Sequence, residues 1–152
     1  VSNYATFLVP GLDGDVSIEV CFDDYFSEDE VRESLGVTEN WEPIVSEVDG
    51  AAAEAATDGE KFDFDRYFDL EKLDDDVLEA YQACVGSPSS AAEVEDAYIG
   101  HYDSDRDFAW ELLESLGAFE AWEALPYYID YDKLVRDLEI DYSHHNGHWF
   151  RP

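Results

Sequence analysis

The sequence predicts an α+β fold: an elongated chain of three small modules, with an N-terminal antiparallel sheet and short helix, a helical middle and a mixed α/β C-terminal module. Three observations predict it. Two β-branched and aromatic runs flank a turn near the start, a helical apolar period occupies the middle, and the last third mixes helix-start signals with aromatic strand signals.

Taken in order, Tyr4 to Val9 and Val16 to Phe22 read as a hairpin around the turn-rich segment Pro10–Asp15. Ser27-Glu28-Asp29-Glu30 is a capping box, Val31 and Leu35 share one face of the helix it opens, and Gly36 stands where a C-cap glycine ends it. Trp41 to Val48 reads as a third strand with Pro43 near its start. Asp49 to Glu60 (DGAAAEAATDGE) has few large apolar residues and Gly near both ends, which suits a helical connector or a linker. A boundary near residue 60 therefore closes an N-terminal β-rich module, 1–60.

Leu70, Leu73, Val77, Leu78, Tyr81 and Val85 follow a helical period, stopped by Gly86-Ser87-Pro88-Ser89-Ser90. Ala91 to Tyr98 forms another short helix, and a second boundary near 95 gives a helical middle module, 61–95. In the C-terminal module, 96–152, Ser104 or Asp105 caps a helix carrying Phe108, Leu112 and Leu116 and ending at Gly117. Tyr127-Tyr128-Ile129 precedes a helix around Tyr131 to Leu138. Trp149 and Phe150 form a last strand, set off by Asn146-Gly147.

Charge decides which functions are open. The 152 residues carry 39 Asp+Glu against 8 Lys+Arg, a formal charge of −31. Binding nucleic acid through phosphate neutralisation, or anionic lipid through a polybasic patch, requires the opposite sign. Acidic disordered chains are poor in aromatics, whereas this one has 4 Trp, 10 Tyr and 9 Phe, so it folds against its own repulsion. The acid is not a tail: residues 1–60, 61–95 and 96–152 carry net charges of −15, −7 and −9. No apolar run approaches the roughly 20 residues that span a bilayer. The segment VSNYATFLVPG lacks the pattern of a signal peptide. Cys21 and Cys84 match no metal or redox spacing and read as reduced side chains, which suits the cytoplasm.

Catalytic and metal chemistry find little support. No nucleophile elbow, phosphate loop or dinucleotide fingerprint occurs, and among 39 acids carboxylate pairs arise by chance. Asp103, Asp105, Asp107, Glu111 and Glu114 fall at the ligand positions of a calcium loop. Phe108, however, stands where that loop turns on Gly, and it belongs to a helix stripe, so the segment reads as a helix start. His144, His145 and His148 lack a further ligand at a recognised zinc spacing and read as an exposed turn. No metal and no cofactor is expected.

Carboxylate spacing is more informative. Phe62-Asp63-Phe64-Asp65, Ile129-Asp130-Tyr131-Asp132 and Leu138-Glu139-Ile140-Asp141 alternate apolar and acidic residues. In extended chain that puts carboxylates on one face about 6.6–6.8 Å apart. Asp107, Glu111 and Glu114 make a helical stripe at steps of about 5–6 Å. Duplex DNA carries one negative charge per roughly 1.7 Å of axis, so 31 charges equal about 53 Å of duplex. A compact chain of this length is only about 38 Å across, so the inventory suits an elongated imitation of DNA.

Two C-terminal blocks then resemble a known family. Ala97-Tyr98-Ile99-Gly100-His101-Tyr102-Asp103-Ser104, continuing to Asp107-Phe108-Ala109, is similar to the Tyr-x-Gly-x-Tyr-x-Ser and Asp-Phe-Ala block of ArdA-type antirestriction proteins. Tyr127-Tyr128-Ile129-Asp130-Tyr131, with Arg136-Asp137-Leu138-Glu139 behind it, resembles the second block. The N-terminal third departs: the family's Asn-Gly-rich turn is replaced by Pro10–Asp15, and the strand VSIEVCF lacks the family's Trp.

The resemblance implies a non-catalytic, cytoplasmic, dimeric DNA mimic carried by a phage or mobile element, which occupies the DNA groove of type I restriction–modification enzymes. The expected mimic surface comprises Asp63, Asp65, Asp69, Asp74, Asp75 and Asp76 in the middle module. In the C-terminal module it comprises Asp103, Asp105, Asp107, Glu111, Glu114, Asp130, Asp132, Asp137, Glu139 and Asp141. Family dimers form through the C-terminal part, which makes Trp110, Phe119, Trp122, Tyr127 and Tyr128 the expected interface residues. Two alternatives stay open: a DNA mimic aimed at another DNA-binding defence or nucleoid protein, and an acidic domain of a halophile, suggested by the scarcity of Lys (Lys61, Lys72 and Lys133).

Overall fold

The computed structural model describes residues 2–152. Its class is the α+β one the sequence predicts, with an N-terminal antiparallel sheet, seven α-helices among the described residues and a C-terminal sheet and helix module. Strand β1 (Tyr4–Gly11) pairs antiparallel with β2 (Gly14–Cys21) through to Gly11↔Gly14, so the turn narrows to Leu12-Asp13. Strand β3 (Val45–Asp49) lies on the other side of β1, giving the order β2-β1-β3. Trp41 is not part of that strand. Its indole N–H donates to the Leu8 carbonyl at 3.2 Å, and its ring meets Phe7 edge-on at 5.6 Å.

Helix α1 (Glu28–Leu35) starts at Ser27, which accepts from the Glu30 N–H as in a capping box, while the Glu30 carboxylate reaches one residue further back and accepts from the Phe26 N–H at 2.8 Å. Gly36 closes it in the left-handed conformation. The alanine-rich segment is neither open nor extended. It forms α2 (Ala51–Ala55), where Ala51, Ala52, Ala53 and Ala55 are buried, because only small side chains fit this close to β3 and the helices that follow. The Asn3 side chain accepts from the Ala53 N–H at 3.3 Å and so serves the helix start from fifty residues away.

A two-residue pair, β4 (Thr57–Asp58) with β5 (Lys61–Phe62), leads into α3 (Phe64–Leu70). The expected single helix from Leu70 to Val85 is broken, since α3 ends at Leu70 and α4 (Asp75–Cys84) starts afresh after Asp74. Three consecutive aspartates explain the break. They are favoured at a helix N-terminus, where the macrodipole is positive, and disfavoured in mid-helix. Helix α5 (Ala91–Ala97) is N-capped by Ser90.

One buried cluster gathers the aromatic residues. Phe7 contacts Phe22, Phe62 and Phe64 at 5.3–6.3 Å, and Phe22 stacks on Tyr67 at 4.2 Å. Leu70, Leu78, Tyr81, Val94 and Phe150 continue the same cluster. Burying each such ring is worth about 1.5–3 kcal/mol, which offsets the repulsion among the surface acids.

The C-terminal sheet has the order β6-β8-β7, from β6 (Tyr98–His101), β7 (Ser143–His145) and β8 (His148–Phe150). The β7–β8 turn takes positive φ at both Asn146 (48°) and Gly147 (81°), as a tight hairpin demands. A Cβ on Gly147 would also meet the Tyr102 carbonyl at 2.6 Å. Helices α6 (Asp105–Ser115) and α7 (Tyr131–Leu138) pack on each other. Phe108, at the start of α6, stacks on Trp149 at 4.0 Å. Among the described residues no helix is long and apolar enough to cross a membrane.

Candidate functional site

The acids stand where the chain starts its helices. Every one of the seven described helices carries Asp or Glu in its first turn: Glu28 to Glu30, Glu54, Asp65, Asp75 and Asp76, Glu93, Asp105 and Asp107, and Asp132. Asp63 accepts from the Arg66 N–H at 3.0 Å as N-cap of α3, and Asp130 from the Lys133 N–H at 3.1 Å as N-cap of α7. Asp74 is the N-cap residue of α4. An acid so placed gains about 0.3–1 kcal/mol from the macrodipole, which answers part of the cost of crowding like charges.

This corrects the expectation of extended carboxylate rows. Asp63 and Asp130 turn the chain into helices, and Glu139 and Asp141 lie in the turn after α7. The alternation keeps its meaning for burial at Phe62 and Phe64, which are interior on either side of the β5–α3 junction, with Asp63 and Asp65 exposed. It fails at Ile140, which is 81% exposed.

Of the sixteen acids expected on the mimic surface, thirteen are exposed: Asp63, Asp65, Asp74, Asp76, Asp103, Asp107, Glu111, Glu114, Asp130, Asp132, Asp137, Glu139 and Asp141. Asp69, Asp75 and Asp105 are partly covered. The Asp69 carboxylate accepts the Ala91 N–H at 2.7 Å, and that bond holds it below the usual carboxylate range. Glu93 is lowered likewise by the Ser89 N–H at 2.8 Å. Glu71 goes the other way, raised by burial beside Tyr67, whose own hydroxyl burial pushes far above its ordinary value.

The few cations serve the fold. Arg32 reaches Glu28 at 2.5 Å and the Trp41 carbonyl at 2.9 Å, and Lys72 pairs with Asp69 at 3.4 Å. Arg106 lies 4.5 Å above the Tyr131 ring, and Arg136 and Arg151 donate to the Asp132 and Asp96 carbonyls. With eight Lys and Arg for 39 acids, most carboxylates lack a cation in any arrangement.

The segment 103–114 forms the helix start the sequence suggests. Ser104 accepts from the Asp107 N–H at 3.1 Å, and Phe108 is buried. The histidines differ from the expected exposed turn: His148 is buried and bonded to the Tyr98 hydroxyl at 3.1 Å, while His144 is half-buried in β7. Burial lowers His148 below the ordinary histidine value. Sequence spacing missed this because pairing of β6 with β8, not local turn chemistry, sets the environment.

Aromatics in the last third face outward. Tyr127 is 87% exposed, Tyr128 74% and Trp122 50%, with Trp122 stacked on Tyr128 at 4.9 Å. Trp110 is exposed and tilts onto the half-buried Phe119 at 5.8 Å. Leu116 is 72% exposed, against its helical spacing from Phe108 and Leu112, which marks it as core. Cys21 and Cys84 are free thiols.

The first quoted sequence block holds the C-terminal module together. Tyr98 binds His148, Tyr102 donates to Glu111 at 3.3 Å and packs on Phe108 at 5.3 Å, and Ser104 caps α6. Among known proteins, the family model described as Antirestriction protein (ArdA) matches residues 17–149. The match begins after β1 and after the turn at which the sequence departs from the family pattern. No curated protein and no solved structure matches the chain. The chain belongs to the ArdA family of antirestriction proteins.

Proposed function

We propose that this antirestriction protein acts as a mimic of B-form DNA, its exposed carboxylates taking the place of phosphates in the DNA-binding groove of a type I restriction–modification enzyme. Membership of the family already implies an inhibitor that meets restriction–modification enzymes, and not an enzyme itself. The observation that carries the finer reading is the spread of exposed, cation-poor acid over all parts of the chain, at a charge equal to about 53 Å of duplex. A basic groove would be approached under electrostatic steering and held by ion pairs that weaken with salt. The outward aromatics Trp110, Trp122, Tyr127 and Tyr128, with Phe119, supply the surface through which two copies associate and double the charged length.

Redundancy is the property to test, and helix geometry dictates which acids to use. Asp63, Asp74 and Asp130 sit at helix N-cap positions, so their loss confounds stability with inhibition. Asp103, Glu111, Glu114, Asp137 and Asp141 are exposed and make no cap bond. Each single change of these five to Asn or Gln is expected to alter inhibition of a type I enzyme less than about threefold. All five together should weaken it by more than about tenfold, since ion pairs of about 0.2–1 kcal/mol accumulate. One exposed acid whose neutralisation alone abolishes inhibition would contradict the mimic.

A further inference from the structure

The C-terminal module also gathers a mixed set of donors that imitation of phosphates does not call for. Asp105 opens α6, Glu139 follows the last turn of α7, and His144 lies in β7, so the start of α6 meets two residues that follow α7. The His144 Nδ1 is 3.6 Å from Asp105 Oδ1, and its Nε2 is 3.0 Å from Glu139 Oε1. One donor atom from each residue lies within 4.8 Å of the other two.

The imidazole is already positioned. It stacks flat on Trp149, with ring centroids 4.1 Å apart and planes within 6°, and Trp149 is itself sandwiched against Phe108. A ring held in this way gives up little rotamer freedom on taking a ligand. Asp105 and Glu139 keep side-chain accessibilities of 46% and 42%, so both carboxylates have room to adjust.

The donor chemistry selects the ligand. Magnesium and calcium take oxygen donors, whereas zinc accepts imidazole nitrogen at about 2.0–2.1 Å and carboxylate oxygen at about 2.0–2.2 Å. Tetrahedral ligands at those lengths stand about 3.4 Å apart. With zinc on Nε2 the Glu139 oxygen at 3.0 Å already stands near that figure, whereas Asp105, whose 3.6 Å separation runs to Nδ1, must swing its carboxylate round to the same metal. Three protein donors leave a fourth position for water.

We infer that Asp105, Glu139 and His144 form a zinc site that ties the start of α6, the end of α7 and β7 together. The site does not depend on the mimicry proposed above, and its test needs no restriction enzyme. The rival is a simple ion triad in which a protonated His144 bridges two carboxylates and no metal is held.

The experiment is a calorimetric titration of the full chain with zinc chloride in a large excess of magnesium, which occupies the general acidic surface. The expected result is one zinc per chain. His144→Ala and Glu139→Gln should each weaken it more than about tenfold, while His145→Ala, an exposed neighbour in the same strand, leaves it unchanged. Zinc should also raise the melting temperature of the wild type and not that of Glu139→Gln, which removes a donor charge without opening the core. Zinc that magnesium displaces, or zinc bound equally well by His144→Ala and Glu139→Gln, overturns the site.

Discussion

The cluster built on β1, α2 and α3 and the module that follows β6 carry similar surfaces and opposite aromatic habits. In the first, Phe7, Phe22, Phe62, Phe64 and Tyr67 are all interior and meet ring to ring. In the second, Phe108, Tyr131 and Trp149 are interior, but Trp122, Tyr127 and Tyr128 face solvent. Acid is abundant on both, so charge does not distinguish them. The difference teaches that the acid answers to something both regions share, whereas outward rings gather in the second, where Trp122 stacks on Tyr128, and stand singly beside the first at Phe26, 84% exposed.

The strongest way to break this comparison is to remove a ring from the first cluster. Phe7→Ala should cost about 3–5 kcal/mol, because the Phe7 side chain is fully buried among four rings, and the loss should appear as a lower urea midpoint. The paired change Tyr127→Ala and Tyr128→Ala should shift the same midpoint, at concentrations where the protomer is alone, by less than about 0.5 kcal/mol. It should nonetheless abolish the self-association proposed above, as read by sedimentation equilibrium. A large stability loss from the tyrosine pair would make these rings part of the fold and remove the contrast.

A smaller effect sharpens the comparison within the C-terminal sheet. Burial holds His148 below the ordinary histidine value, with the His101 ring 4.7 Å away adding to the shift. The folded chain therefore binds fewer protons there than the unfolded chain does. This contribution to stability is complete above about pH 6.5 and is lost as pH falls through the lowered folded value. Unfolding in urea between about pH 8 and pH 5 should show stability falling in the wild type. His148→Gln, which cannot take up the proton, should flatten that part of the profile. An identical pH dependence in both would assign the loss to other groups.

Much of the fold was legible because its signals are local. The Ser27 and Ser104 caps, Gly36 and the Asn146-Gly147 turn depend on neighbours within four residues, and the β1–β2 hairpin shows in two β-branched runs around a turn. What was not legible depends on distance. The alanines of α2 read as a connector because their burial comes from packing under β3 and against α3 and α4. The apolar period across Leu70 to Val85 concealed a helix break, since periodicity does not register the preference of Asp74, Asp75 and Asp76 for a helix start. The candidate site divides in the same way. Composition reveals the acid and even its exposure, but the meeting of Asp105, Glu139 and His144 has no spacing signal, because the rest of α6, the loop after it and all of α7 separate Asp105 from the other two.

As a mimic, the chain takes the place of duplex DNA in the groove of its target. Competition between the protein and a labelled duplex for one type I restriction–modification enzyme, followed over increasing salt, tests it most directly. The predicted result is mutually exclusive binding, with the protein's affinity falling as salt rises in the manner of a polyanion. An enzyme inhibited by the protein while still holding its duplex would contradict the claim.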